Sequence, residues 1–155
     1  MPQFDQSQNS AIQELLQLQS EQRSAHLTAN AKKLVDLFAD EFINISNGKI
    51  VRPTYAESLQ RLQAYFDKVT FIAWDDITPP IIHVAEDTSL ATVIVHKYVH
   101  LRYLAESDIW MEEDTTFAWQ EMYIRQHNRW RLATVVSTNT PPNSRPFESQ
   151  STVAS

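Results

Sequence analysis

Two histidines and one glutamate in the second half of the chain are the side chains best suited to moving a proton. His96 and His100 are four residues apart on a segment whose pattern predicts a strand, so they share a face about 13 Å apart, too far to bind one metal ion together. Glu121 lies on the next predicted strand and could pair with either histidine. A His–Glu pair in an apolar pocket would have shifted pKa values and could serve as acid and base. The simpler interpretation is that these polar groups are hydrogen-bonded in a pocket wall or an interface.

Aromatic residues are concentrated in the same region. They would form an apolar pocket suited to a flat or hydrophobic ligand. The alternative is that most of them are core or interface residues, which we expect at least for Trp130. The aromatic residues considered are Trp74, Tyr98, Trp110, Trp119, Tyr123 and Trp130.

Other polar groups support chemistry less well. Asp75 and Asp76 are adjacent on a predicted strand, so their carboxylates point to opposite faces and only one can enter a pocket. The acidic run at 112–114 is typical of a solvated loop or strand end. His26 and His83 are isolated and are expected to be structural or exposed. No serine lies in a recognisable nucleophile turn, so a Ser-His-Asp hydrolase is not supported.

Composition bounds the function. The chain has 155 residues, enough for one domain with a sizeable core, and a net charge of -6 with scattered basic residues, which argues against nucleic-acid binding. It has no cysteine and a single glycine, which excludes disulfides, thiolate metal sites and a glycine-rich phosphate loop. No apolar run approaches the length of a membrane span. We predict a cytoplasmic protein without metal or cofactor.

The elements that must position these side chains begin with helices. Residues 1–9 are polar and predicted to be flexible, and Ser10 is the expected N-cap of a first helix, with Gln13 as its capping partner. That helix is predicted to bury Ile12, Leu15, Leu16 and Leu18 and to end near His26 or Leu27. Thr28 or Asn30 would cap a second helix that buries Leu34, Val35, Leu37 and Phe38. Thr54 and Glu57 form a capping box for a third helix, which buries Leu59, Leu62, Tyr65 and Phe66.

Strands dominate the rest of the chain. Asn47-Gly48 is the strongest hairpin-turn dipeptide, and Pro79-Pro80 is expected to stop a strand. The predicted domain spans 10–138, followed by a flexible tail at 139–155 that is rich in Pro, Ser, Asn and Thr. The predicted strands are 42–46, 69–77, 81–85, 90–104, 115–126 and 130–138.

The strand at 90–104 carries apolar or aromatic groups on both faces. One face is therefore expected to line the interior, and the other to meet a partner, most simply a second copy of the chain. We predict a homodimer that uses Val93, Val95 and Val99.

The order α-α-β-α-β-β-β-β-β resembles the nuclear transport factor 2-like superfamily, and within it the SnoaL-like, ketosteroid-isomerase-like small domains. The resemblance covers about residues 10–138, and it implies an α+β fold of cystatin-like topology. In that fold a cone-shaped, curved antiparallel sheet wraps three N-terminal helices and encloses a pocket, and dimers commonly use the outer face. The matching segments are Phe38-Ala39-Asp40-Glu41-Phe42, Asn47-Gly48-Lys49-Ile50, Glu121-Met122-Tyr123-Ile124-Arg125 and Asn128-Arg129-Trp130-Arg131-Leu132.

The resemblance also implies roles for individual residues. His96 and Glu121 stand where kinase association domains of this superfamily have pocket arginines. Residues an even number of positions away on the same strand share their face, which would point four more side chains into the pocket: Tyr98, His100, Trp119 and Tyr123. Ser46 stands where ketosteroid isomerases have a general-base aspartate. Because a serine hydroxyl is not a base near neutral pH, classical steroid isomerisation by that base is not expected.

Three functions follow as hypotheses. The first is a homodimeric domain that binds a small, mostly apolar molecule, oriented by His96, Tyr98 and Glu121. The second is an isomerase, cyclase or hydratase that uses His96 and Glu121 as a proton-transfer pair. The third is an assembly or adaptor domain whose pocket is incidental.

Overall fold

The computed structural model describes residues 6–147. Helices come first and long strands last, as the sequence predicts. In chain order the elements are α1 (Gln6–Leu27), α2 (Ala31–Val35), β1 (Phe38–Ser46), β2 (Lys49–Val51), α3 (Tyr55–Lys68), β3 (Val69–Val84), β4 (Leu90–Leu104), β5 (Trp110–Gln126), β6 (Arg129–Asn139) and β7 (Asn143–Pro146).

The strands of the described residues form one sheet in the order β2-β1-β6-β5-β4-β3, with β7 paired to β5. Neighbouring strands are antiparallel except β1 and β6, which are parallel. The sheet is curved and unclosed, and the helices pack on its concave face. The prediction of an α+β fold with a curved sheet around N-terminal helices is confirmed.

The long helix α1 begins earlier than expected. It starts at Gln6, so Ser10 lies inside the helix and is not its N-cap, whereas the end at Leu27 agrees with the prediction. Of the predicted apolar stripe only Leu15 is fully buried, and Leu16 is exposed. The buried stripe instead consists of two alanines, one leucine and two glutamines at spacings of three and four residues: Ala11, Leu15, Gln19, Gln22 and Ala25.

Local capping and turn signals were reliable. Asn30 caps α2 by accepting a hydrogen bond from Lys33 N, and Thr54 and Glu57 form the predicted capping box of α3. Asn47-Gly48 makes the β1–β2 turn with positive φ at both residues. The second helix, however, ends at Val35, because Phe38 already belongs to β1.

The prolines at 79 and 80 do not divide the chain into two strands. β3 continues from Val69 to Val84, and its pairing with β4 shifts register between Asp76 and Ile81. Because β3 is an edge strand, a proline there costs no central ladder hydrogen bond, and the register shifts accommodate both rings.

The segment predicted as a flexible tail contains a short strand. β7 (Asn143–Pro146) pairs with the early part of β5, which itself begins at Trp110 and not at 115. Arg145 fixes this strand by ion pairs with Glu112 (2.9 Å) and Asp114 (2.6 Å). Residues 1–5 and 148–155 lie outside the described part of the chain, so the predicted flexibility there stays a prediction.

The alternation along β4 decides which face is the core. The odd-numbered residues face the helices: Val93 and Val95 are 0% exposed and Val99 is 5% exposed. Val93 and Val95 pack against Ala11 and Leu15 of α1. The prediction that these valines form a dimer interface is therefore wrong, because the helices of the same chain already cover them.

Candidate functional site

A cavity of about 470 Å³ lies between the helices and the concave face of the sheet. Most of its wall is aromatic and aliphatic. The apolar lining residues are Leu34, Phe38, Phe42, Leu62, Tyr65, Phe71, Trp74, Val99, Leu101, Phe117, Trp119, Leu132 and Val135.

A buried carboxyl group forms the inner end of the cavity. Glu121 is 1% exposed. Its Oε1 accepts hydrogen bonds from Gln19 Nε2 and from the Tyr123 hydroxyl (2.8 Å), and its Oε2 accepts one from Trp119 Nε1 (3.0 Å). Burial raises the pKa of Glu121, and these donors offset only part of that effect because they favour the ionised form.

Two amides of α1 complete the network behind this carboxyl. Gln22 Nε2 donates to the Tyr123 hydroxyl (2.7 Å), and Gln19 Nε2 also reaches that oxygen (3.2 Å). Burial raises the pKa of the Tyr123 phenol well above its usual value, and the neighbouring Glu121 adds to the effect. Tyr123 is therefore a neutral donor, held in one orientation by the amides.

One cavity wall is built around Trp74. The His26 ring stacks on it at a centroid distance of 4.1 Å, and Lys97 Nζ lies 4.3 Å from its centroid. His26 Nδ1 lies 2.7 Å from the Gln22 carbonyl oxygen. Burial lowers the pKa of His26 to about 4, with a smaller contribution from Lys97, so the ring is neutral near pH 7. Because a carbonyl only accepts, Nδ1 carries the proton and Nε2 is an acceptor.

The outer end of the cavity is polar and open to solvent. Arg61 and Tyr65 from α3 are exposed there, and Glu113 contributes a carboxylate. Ser46 also lines the cavity, so the position at which the resemblance implies a general base does face the interior. The remaining polar lining residues are Asn44, Asn47, Ser58, Thr115, Ser137 and Asn139.

The structure brings together part of the predicted site. Trp74, Trp119 and Glu121 line the cavity, and Tyr123 bonds to Glu121 immediately behind the wall. All four lie on the concave face of the sheet, as the pairing of Trp119 with Val95 and of Glu121 with Val93 requires.

The other three predicted site residues lie on the opposite face. His96, Tyr98 and His100 alternate with the buried residues of β4, so their side chains are on the convex side and do not line the cavity. The prediction that His96 and Glu121 approach each other inside a cavity is wrong, because His96 pairs with Ala118 and Glu121 with Val93, residues of opposite parity. His100 instead contacts Glu112 on the convex face (3.2 Å).

Sequence reasoning missed the polar residues that α1 contributes. Gln19, Gln22 and His26 recur at spacings of three and four, which places them on one helix face. That spacing was a usable signal, but glutamines in a Gln-rich helix are typical of a solvated face.

Two features are absent from the described residues. Within 6–147, no group of three or more His, Asp or Glu side chains is arranged to hold a metal ion. None of the helices in that range is both long and apolar enough to cross a membrane.

Comparison with solved structures identifies the fold. A candidate scytalone dehydratase from Novosphingobium aromaticivorans superposes with a TM-score of 0.71 at 9% identity, over 94% of this chain and 93% of that chain. A candidate calcium/calmodulin-dependent kinase II association domain from Exiguobacterium sibiricum gives 0.66 at 17% identity, over 84% and 93%. An NTF2-like protein from Cytophaga hutchinsonii gives 0.63 at 18% identity, over 81% and 95%.

The chain therefore has the nuclear transport factor 2-like fold, and the resemblance read from the sequence is confirmed at the level of fold. No protein-family model matches the sequence. No curated protein matches it significantly either. Because this fold supports many unrelated activities, function has to be argued from the cavity.

Proposed function

We propose that this protein binds a small, largely apolar molecule in the cavity between its helices and the concave sheet. The observation that carries the proposal is a cavity of about 470 Å³ with an aromatic and aliphatic wall that ends at a hydrogen-bonded, buried carboxyl group. Pockets of this size with few convergent polar groups are typical of small-molecule sites.

The residues have distinct roles in this proposal. Trp74 and Trp119 form part of the aromatic wall, with ring centroids 5.6 Å apart and ring planes tilted by 38°. Glu121 fixes the orientation of the ligand at the inner end, and Tyr123 positions Glu121 without contacting the ligand. The exposed residues Arg61 and Tyr65 form the entrance.

General acid–base catalysis in the same cavity is a second candidate. It is favoured by the raised pKa of Glu121, since buried carboxyl groups with perturbed pKa values are common among catalytic acids and bases. His96 takes no part in it. Recovery of a chemically altered ligand after incubation with the protein would favour this candidate over binding alone.

Binding can be tested with prodan, a neutral dye whose emission reports an apolar surrounding. We expect a blue shift and saturable binding to the wild type. Ser137→Phe should reduce prodan affinity by about tenfold or more, because Ser137 lines the cavity and the added ring would occupy it. Melting temperatures of all proteins establish that each variant is folded.

The matched control is Val136→Phe. Val136 is the preceding residue of β6, it is exposed, and it points to the convex face. The Val136→Phe variant should keep its affinity for prodan within about twofold of the wild-type value. Equal loss in both variants, or none in either, would contradict binding in the cavity.

The partner of this domain is proposed to be a second copy of the chain. Four apolar residues from three strands are exposed on the convex face, and a second copy would cover them. We define this convex patch as Ile81, Leu90, Ile94 and Val136. The cytoplasm stays the predicted compartment.

A further inference from the structure

We propose that the cavity selects an organic cation, an ammonium group on an apolar body, whose charged head hydrogen-bonds to Glu121. The inference rests on the proposed function and specifies its ligand class. It is carried by the inner end of the cavity, where a buried carboxyl group and a neutral imidazole each have room to accept a further hydrogen bond.

The charges of the surrounding residues do not neutralise Glu121. Lys97 is buried nearby, but its ammonium is paired with Asp76 at 2.8 Å and it does not line the cavity. His26 is neutral near pH 7. Arg61 lines the cavity but is exposed on α3 at the outer end. Among the described residues, Glu121 has neutral hydrogen-bond donors around it and no ion pair.

The hydrogen-bonding capacity at this end is also one-sided. Glu121 Oε2 accepts a bond from Trp119, and a carboxylate oxygen has room for a second donor. His26 lines the cavity with Nε2 as an acceptor, because its Nδ1 hydrogen is bonded to Gln22 O. Gln19 Oε1 is also buried without a partner within residues 6–147, although Gln19 does not line the cavity. An ammonium group, which has N–H donors and no acceptor, fits the two acceptors on Glu121 and His26.

The walls favour the same class of ligand. Trp119 and Phe117 line the cavity, and Trp119 carries the hydrogen bond to the carboxylate. Aromatic faces attract an ammonium group through the ring quadrupole, and this attraction is strongest where water is excluded. A carboxylate beside indole and phenyl rings therefore offers both an ion pair and cation–π contacts.

A neutral Glu121 would have the opposite preference. A protonated carboxyl group donates a hydrogen bond and would select a ligand carbonyl, and the burial of Glu121 favours protonation. A bound ammonium group would shift Glu121 back to its ionised form, since a positive charge within hydrogen-bond distance stabilises the carboxylate. The two preferences are separated by comparing ligands that share one skeleton.

The test uses four naphthalene ligands on the full chain near neutral pH, measured by isothermal titration calorimetry. They are 2-(1-naphthyl)ethylamine (a cation), 2-(1-naphthyl)ethanol and 1-naphthylacetone (both neutral), and 1-naphthaleneacetate (a carboxylate anion). We expect the amine to bind about tenfold more tightly than the alcohol and the ketone, with the acetate weakest. A ketone or alcohol that binds as tightly as the amine would overturn the inference.

Glu121→Gln tests the assignment to this residue, because it keeps the size and polarity of the side chain and removes its charge. It should bring the affinities for amine and alcohol within about twofold of each other. Glu113→Gln, at the outer end of the same cavity, should retain the amine preference. Loss of that preference in Glu113→Gln alone would move the cation site away from Glu121 and overturn the inference.

The failure of this inference can be told apart from the failure of the proposed function. The wild-type ranking of ligands decides the inference even if Glu121→Gln does not fold. If prodan binds in the cavity while the amine shows no preference over the alcohol, the cation selectivity is wrong and the cavity site stands. If neither prodan nor any naphthalene ligand binds, both proposals fail.

Discussion

At the scale of single residues, His26 links the cavity wall to the pH dependence of folding. The ring stacks on Trp74 and contacts Phe66 and Phe71 edge-on, with its Nδ1 hydrogen bonded to Gln22 O. Its partly exposed edge lines the cavity. Protonation would place a charge among these rings beside Lys97, which is why the folded protein binds this proton so weakly.

We predict that His26 makes the protein less stable as the pH falls from about 6.5 to about 4. The folded-state pKa of about 4 is below the unfolded value of 6.5, so the unfolded chain binds the proton first. The stabilisation is fully present above pH 6.5 and is lost towards pH 4. Its size is on the order of 3 kcal/mol. Urea titrations across this range measure it.

The comparison with His26→Phe isolates the contribution of this ring, because other groups also titrate at acid pH. As the pH falls below 6.5, the unfolding free energy of the wild type should fall relative to that of His26→Phe, because only the wild type has this titrating ring. The control His83→Phe makes the same substitution at an exposed histidine outside the cavity wall. Parallel stability curves for wild type and His26→Phe would contradict the prediction.

The sequence allowed some residues of the cavity wall to be predicted, but not the hydrogen bonds among them. Trp74 and Trp119 were identified because aromatic residues are concentrated in the strands, and Glu121 because the resemblance implies a pocket residue at its position. His96 was assigned to the wrong face, since both faces of β4 carry apolar groups and the choice depends on where α1 packs. Packing of a helix on one face is a long-range event that the local sequence does not encode.

At the scale of elements, α3 shapes the entrance of the cavity. Ser58, Arg61, Leu62 and Tyr65 line it, and a capping box fixes the start of the helix just before them. The Thr54 hydroxyl accepts from Glu57 N (3.1 Å), and the Glu57 carboxylate accepts from Thr54 N (3.3 Å). The first turn of α3 therefore depends on two side chains at the surface.

We predict that Thr54→Ala lowers the unfolding free energy by about 1 kcal/mol, since it leaves an N-terminal amide of α3 without its acceptor. Chemical denaturation measures the loss. Thr54→Ser retains the hydroxyl and serves as the control, with stability within about 0.5 kcal/mol of wild type. If the alanine and serine variants are equally stable, the cap does not contribute as the geometry suggests.

Elements with local signals could be predicted, and elements that depend on partners could not. Asn30, Thr54 and Asn47-Gly48 act through bonds within a few residues, and each was identified correctly. The continuity of β3 through its prolines requires knowing that it is an edge strand. β7 forms because Arg145 reaches Glu112 and Asp114 on another strand, so its composition alone suggested an unstructured tail.

At the scale of the whole molecule, the two faces of the sheet have different partners. The concave face is covered by the helices of the same chain. On the convex face, Ile81, Ile94 and Val136 are 51%, 41% and 42% exposed. The strand pairing aligns Ile81 with Ile94, Ile94 with Gln120, and Gln120 with Val136, so these side chains form one row across the sheet.

We predict that the convex patch holds a homodimer and that Ile94→Glu dissociates it. A glutamate at the centre of an apolar interface would lose its hydration without gaining a partner, which costs several kcal/mol of association free energy. Light scattering coupled to size-exclusion chromatography should give a dimer for the wild type and a monomer for the variant at micromolar concentration. The melting temperature of the variant shows whether the monomer remains folded.

Ile109→Glu is the control, because Ile109 is also exposed but lies in the turn between β4 and β5, outside the convex patch. It should leave the dimer intact. A dimer that Ile109→Glu breaks and Ile94→Glu does not would move the interface to the β4–β5 turn. A monomeric wild type would remove the homodimer altogether. Neither result would affect the cavity, because it lies on the other side of the sheet, between the concave face and the helices.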